Sequence, residues 1–172
     1  CSDTRANRII KWQDPARTPG GKTTGELWKS PSGYEGPNNE GWAPHLAEPG
    51  TNGLILARGG LVGADHGNRS VVFFDLKTRA KTTIVGRFEG KRFNSPNDLA
   101  IAKSGAIYFT DPPYGRLEFY GVRRAQELSF QGVYRVGDSP GNPHLLIDDF
   151  DRPNGLCFSL DRRRLFINDT AR

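Results

Sequence analysis

Apolar and polar positions alternate in two short runs, Leu99 to Ala102 and Ala106 to Thr110, separated by Ser104-Gly105. Period-two alternation on both sides of a glycine turn predicts an antiparallel hairpin. Polar turns flank it, Asn94-Ser95-Pro96-Asn97-Asp98 before the first strand and Asp111-Pro112-Pro113-Tyr114-Gly115 after the second. A hairpin brings the start of its first strand beside the end of its second. Asn97, Asp98 and Tyr114 are therefore expected to meet, although about 17 positions lie between the first and the last.

The same unit recurs along the chain. Thr51-Asn52-Gly53-Leu54 opens a strand that turns at Gly59-Gly60 and returns to Ala64-Asp65-His66. Pro153-Asn154-Gly155-Leu156 opens another that returns to Asn168-Asp169. The Asn-to-Asp spacing is 13 residues (52 to 65), 14 (97 to 111) and 15 (154 to 169). Ser2-Asp3-Thr4-Arg5-Ala6-Asn7-Arg8 repeats the pattern of Ala64-Asp65-His66-Gly67-Asn68-Arg69. Repeats that start 45 and 57 residues apart (52 to 97, 97 to 154) match the four-strand period of propeller blades with loop insertions. The pattern predicts an all-β chain: the outer part of a blade over 1–31, complete blades over 52–86 and 97–149, and the first half of another over 154–172. Roughly three blades' worth of strands does not close a ring, so the sequence reads as an excerpt of a longer propeller.

Composition agrees with short strands and many turns: 21 glycines, 12 prolines and no methionine. The net charge of +5 comes from scattered basic residues, and Arg162-Arg163-Arg164 is the only basic run, expected at a solvated hairpin tip. No arginine-rich helix or stacking-aromatic motif points to nucleic acid, and no segment reads as membrane-spanning. Neither partner is expected, and the full-length protein is expected to be monomeric. Secreted, periplasmic and cytoplasmic locations all stay open, because a targeting peptide would lie upstream. Cys1 and Cys157 make neither a disulfide framework nor a metal site, and Cys157, on an apolar strand, is expected to be buried.

Two long connections, Ser30 to Thr51 and Gly115 to Gln131, emerge on the face where each first strand begins, which suggests a binding face. The asparagine turns open onto the same face, beside the central channel.

These motifs resemble those of the gluconolactonases, within the wider regucalcin-like (senescence marker protein/gluconolactonase) family. The resemblance rests on Asn94-Ser95-Pro96-Asn97-Asp98-Leu99 followed by Tyr108-Phe109-Thr110-Asp111-Pro112-Pro113-Tyr114-Gly115. Asp65-His66-Gly67-Asn68-Arg69, Glu89-Gly90-Lys91-Arg92-Phe93 and Arg152-Pro153-Asn154-Gly155-Leu156 support it. It implies a six-bladed propeller with one divalent cation, commonly Ca2+ with Zn2+ or Mg2+ as alternatives, on the floor of a funnel. It implies Asn97 and Asn154 as metal ligands, Asn97 lying beside the substrate as well, and a sugar lactone as substrate. The family's glutamate and aspartate ligands match no position in these 172 residues. Glu35, in Tyr34-Glu35-Gly36-Pro37, has a similar local pattern but falls in an interblade insertion.

Amide oxygens are neutral ligands suited to Ca2+, and they leave the cation electrophilic. Such a cation polarises a lactone carbonyl and stabilises the oxyanion formed when water attacks. The resemblance implies the family's aspartate, which matches no position here, as the main base; Asp98 is a poorer candidate, competing with the commoner role of an aspartate in a turn, holding backbone. His66 and Tyr114 are candidates for substrate contact. Asn52 occupies the repeat position of Asn97 but is expected only to form its turn. The recurrence of Asp65, Asp111 and Asp169 predicts a repeated structural bond. His45 and His144 receive no role. Two other readings compete with a lactonase: a different ester or phosphotriester hydrolase on the same propeller, and a non-catalytic calcium-binding or interaction propeller.

Overall fold

A computed structural model describes residues 1–3, 5–12, 25–34, 49–117, 121–137 and 142–171. Glu35, Trp42 and His45 lie outside the described residues. Within each sheet, strands adjacent in sequence pair antiparallel. The first sheet holds β1 (Ser2–Asp3), β2 (Arg8–Trp12) and β3 (Gly25–Lys29). The second holds β4 (Leu54–Ala57), β5 (Gly60–Asp65), β6 (Ser70–Asp75) and β7 (Lys81–Val85). A small hairpin of β8 (Arg87–Phe88) and β9 (Lys91–Arg92) precedes the third sheet. That sheet holds β10 (Leu99–Ile101), β11 (Ile107–Thr110), β12 (Gln131–Val136) and β13 (His144–Phe150). A last pair joins β14 (Pro153–Phe158) to β15 (Leu165–Asp169). Among the described residues no helix is long and apolar enough to cross a membrane.

Strand composition follows position in the sheet. The middle strand β6, Ser-Val-Val-Phe-Phe-Asp, is buried or half-buried throughout, as expected of a β-branched and aromatic run covered on both faces. The outer strand β13 alternates between exposed and half-buried and carries Asp148 and Asp149, charges that discourage edge-to-edge pairing. The opening strands β4, β10 and β14 lie side by side, β10 in the middle. Each asparagine turn thus sits next to that of the neighbouring sheet.

Aromatic rings fill the space between the second and third sheets. Phe109 stacks on Tyr134 with centroids 5.3 Å apart, and Phe93 meets Phe109 edge-on at 5.1 Å. Tyr134 is fully buried, and its hydroxyl has no hydrogen-bond partner among the described residues. Burial also pushes its phenol pKa up. An unpartnered buried hydroxyl opposes folding, so Tyr134→Phe is expected to leave stability unchanged or raise it by about 1 kcal/mol. Urea unfolding midpoints of the two proteins check this.

Cys157 departs from the expectation of burial. It lies opposite Phe166 in the last strand pair, and both side chains are exposed. The adjacent Leu156 is the buried one. Alternation along a strand sends consecutive side chains to opposite faces, and an apolar run alone does not say which face is covered.

Candidate functional site

The recurring aspartates are backbone clamps. One carboxylate oxygen of Asp111 accepts the Asn94 N–H and the other the Ser95 N–H, each at 2.7 Å. Asp169 does the same for Asp151 at 2.9 Å and Arg152 at 3.0 Å. In both repeats the donors stand three and two positions before the asparagine. In the second sheet the first of those positions is Pro49, which has no N–H to give. Asp65 instead accepts the Asn68 N–H at 3.2 Å, the Asn68 amide at 2.9 Å and the Lys81 ammonium at 3.1 Å.

Ser95 joins the turn before β10 to the loop after β11. Its hydroxyl donates to the Pro112 carbonyl and accepts the Gly115 N–H at 2.8 Å. The two polar turns flanking the hairpin are therefore one hydrogen-bonded unit. Tyr114 opens a short 3-10 turn, Tyr114–Arg116, and its hydroxyl bonds that of Thr170 in the last sheet. His66 is 1% exposed, with its ring edge against Gly115 underneath that turn. It meets the site through the loop it supports.

Asn97 and Asn154 are pinned by their backbones. The Asn97 N–H donates to the Thr110 carbonyl at 3.0 Å, and the Asn97 carbonyl accepts the Gly53 N–H at 2.8 Å. The Asn154 carbonyl accepts the Thr110 hydroxyl at 2.7 Å. Both asparagines thus hang on Thr110, which is fully buried. Their side-chain amides make no hydrogen bond to the described residues, although Asn97 is only 7% exposed. An amide with no protein partner is left to water or to a ligand. Two neutral amide oxygens are the donor type that Ca2+ accepts, so these residues fit a hard divalent cation. No group of three or more His, Cys, Asp or Glu side chains among the described residues forms a ready-made metal cluster.

Asp98 lies across the three opening strands. Its carboxylate accepts the Leu156 N–H at 3.2 Å. A Cβ on Gly53 would stand 2.7 Å from the other carboxylate oxygen and 2.9 Å from the Asp98 Cα, closer than side chains approach. On the other side, a Cβ on Gly155 would meet the Asn168 amide oxygen at 2.9 Å. The glycines of Asn52-Gly53 and Asn154-Gly155 make room for these side chains. A cavity of about 430 Å3, lined in part by Asp98, Gly155 and Asn168, adjoins them. Another cavity, of about 490 Å3, lies elsewhere, against Asp65, Asn68, Lys81 and Arg92.

Burial pushes the Asp111 carboxyl up to about 7, against the pull of the Asn94 and Ser95 N–H groups and of the Arg69 and Arg116 guanidiniums. Burial raises Asp65 too, with Lys81 and Asn68 opposing. A carboxyl raised on folding binds its proton more tightly in the folded state. Its contribution to stability is complete below the unfolded value near 3.8 and is lost as pH rises through about 7. The urea midpoint is expected to fall between pH 5 and pH 8, and a pH series of unfolding curves measures it.

The sequence profile of the SMP-30/Gluconolactonase/LRE-like region matches residues 1–172. The chain belongs to this family. A gluconolactonase of Zymomonas mobilis is 38% identical over 172 residues, covering 99% of this chain and 45% of that protein. A lactonohydrolase of Aspergillus oryzae is 33% identical over 95 residues, covering 55% of this chain and 21% of that protein. Among solved structures, the Xanthomonas campestris gluconolactonase superposes with a TM-score of 0.77 at 32% identity, over 98% of this chain and 49% of its own. The chain spans about half the length of the relatives it matches. Within the SMP-30/gluconolactonase family, its sheets are the blades of a propeller.

Residue types and spacing left several members of this site unread. Thr110 reads as one more β-branched strand residue, and Ser95 as one more turn residue. The available signal was the hydroxyl immediately before the repeat aspartate, present at Ser2 and Thr110 but replaced by Ala64 and Asn168.

Proposed function

We propose that the protein is a metal-dependent lactonase that opens a sugar lactone of the gluconolactone type to its hydroxy acid, with Ca2+ as the first choice of cation. The observation that carries the reading is the pair of unpartnered amides, Asn97 and Asn154, on backbones fixed by one buried threonine. The gluconolactonase relatives support the substrate class. A bound divalent cation supplies polarisation of the lactone carbonyl and stabilisation of the oxyanion as water attacks. Asn97 and Asn154 offer it neutral oxygens, and Asn97 also borders the substrate. Tyr114 lines the rim, while His66 supports the Tyr114–Arg116 turn from below. The Asp98 bond to Leu156 supports a holding role more than that of a base.

The 172 residues alone are expected to be inactive, because the further acidic ligands that the family resemblance implies match no position among them. The test therefore uses the full-length protein. Acid release from gluconolactone is expected to stop on chelation and return with Ca2+. A folded, Ca2+-binding protein that opens no lactone would overturn the reading, in favour of another ester or a non-catalytic module.

A further inference from the structure

Neighbouring opening strands are joined in two different ways. Between β4 and β10 the contact is direct: the Gly53 N–H donates to the Asn97 carbonyl at 2.8 Å. The equivalent pair one repeat later is the Asp98 N–H and the Asn154 carbonyl. There the Thr110 hydroxyl stands between them, accepting the Asp98 N–H at 3.3 Å and donating to the Asn154 carbonyl at 2.7 Å. Two hydrogen bonds through an oxygen replace one direct bond, so the backbones are held apart by the width of a hydroxyl. Asp98 completes the substitution with its carboxylate on the Leu156 N–H. The position of Thr110 is occupied in the preceding repeat by Ala64, which has no hydroxyl to insert. Ser2 makes the corresponding bond to the Asn52 carbonyl at 2.5 Å.

We infer that Thr110 is a positioning residue for the cation: its hydroxyl wedges the Asn97 and Asn154 turns apart and leaves room for a divalent ion between their amide oxygens. This inference rests on the lactonase reading above. It distinguishes the Asn97–Asn154 pair of turns, bridged by a hydroxyl, from the Asn52–Asn97 pair, joined by a direct backbone bond. Both hydrogen bonds of the hydroxyl go to backbone groups. Its role is to set the spacing of the two turns, and the methyl group contributes only packing.

Calorimetric Ca2+ titration of the full-length protein tests it, with the thermal shift on adding Ca2+ as a second readout. Thr110→Val keeps the shape without the hydroxyl, and its Ca2+ dissociation constant is expected to rise about 10- to 100-fold, as for other residues that orient metal ligands. Its thermal shift on adding Ca2+ should shrink in step. Thr110→Ser restores the hydroxyl and is expected to bind within about threefold of the parent, a rescue a purely packing role would not give. Equal Ca2+ affinity in Thr110→Val and the parent overturns the wedge and leaves the lactonase reading standing. A parent protein that binds no divalent cation overturns both. Should Thr110→Val fail to fold, a crystal structure of the parent with Ca2+ decides. An ion between the two amides with Thr110 still bridging supports the wedge, and a direct bond from Asp98 N–H to the Asn154 carbonyl overturns it.

Discussion

Asn154→Ala in the full-length protein is expected to lower kcat/KM on gluconolactone by about 100-fold or more, comparable to the loss of one oxyanion-stabilising group. The same substitution is expected to leave the unfolding midpoint without Ca2+ nearly unchanged. The two expectations follow from one fact: the Asn154 backbone is held by Thr110, while its amide bonds nothing among the described residues. A side chain kept for folding would show the opposite balance. Asn94 is the internal contrast, since its amide donates to the Phe130 carbonyl at 2.8 Å and to Asp111 at 3.2 Å in a fully buried setting. Removing the Asn94 amide should unfold the protein before it reports on chemistry. Asn52→Ala sharpens the test, because Asn52 shares the repeat position but its turn is joined to that of Asn97 by a direct backbone bond. It is expected to keep activity within about twofold, as surface substitutions away from special features do. If Asn52→Ala and Asn154→Ala proved equally damaging, the asparagines would be turn formers, and the cation reading would lose its support.

The strands were legible because each obeys a local rule. Alternation set the faces, Ser104-Gly105 set a turn, and β10 and β11 fall within one residue of where the pattern puts them. The repeat itself identified Asn97 and Asn154 as equivalent positions and the aspartates as structural. What stayed hidden was the partner of each polar group whenever that partner lay in another repeat. Asp98 reads from sequence as a residue holding its own turn, and it holds Leu156, 58 residues away. Thr110 looks like strand filler, and it spans to Asn154, 44 residues away. Cys157 failed for the same reason, since burial of a strand face depends on the neighbouring sheet. Periodicity carries information over one element; contacts between repeats require the twist and spacing of whole sheets.

The second large effect is on stability, and the molecule contains its own control. Asp111 and Asp169 grip their loops with the same pair of backbone donors, but Asp111 is fully buried and the Asp169 bonds are exposed. An asparagine at either position keeps the shape but can accept only one of the two N–H groups. Its own NH2 then faces the other donor. At position 111 no water reaches the abandoned N–H, so Asp111→Asn is expected to cost about 3 kcal/mol, the penalty of a buried donor left without an acceptor. At position 169 of this 172-residue chain solvent takes over, and Asp169→Asn is expected to cost the chain about 1 kcal/mol or less. The difference also has a functional side. The Asn94-Ser95 turn that Asp111 grips carries the Ser95 hydroxyl, which in turn holds Pro112 and Gly115. Loosening it should raise KM through the Tyr114 loop in whatever fraction stays folded. Urea unfolding of both variants of the 172-residue chain at pH 8, above the Asp111 value of about 7, measures the contrast. Equal losses at 111 and 169 would mean that burial does not set the strength of the clamp, and the carboxylate's geometry alone would have to explain why it recurs.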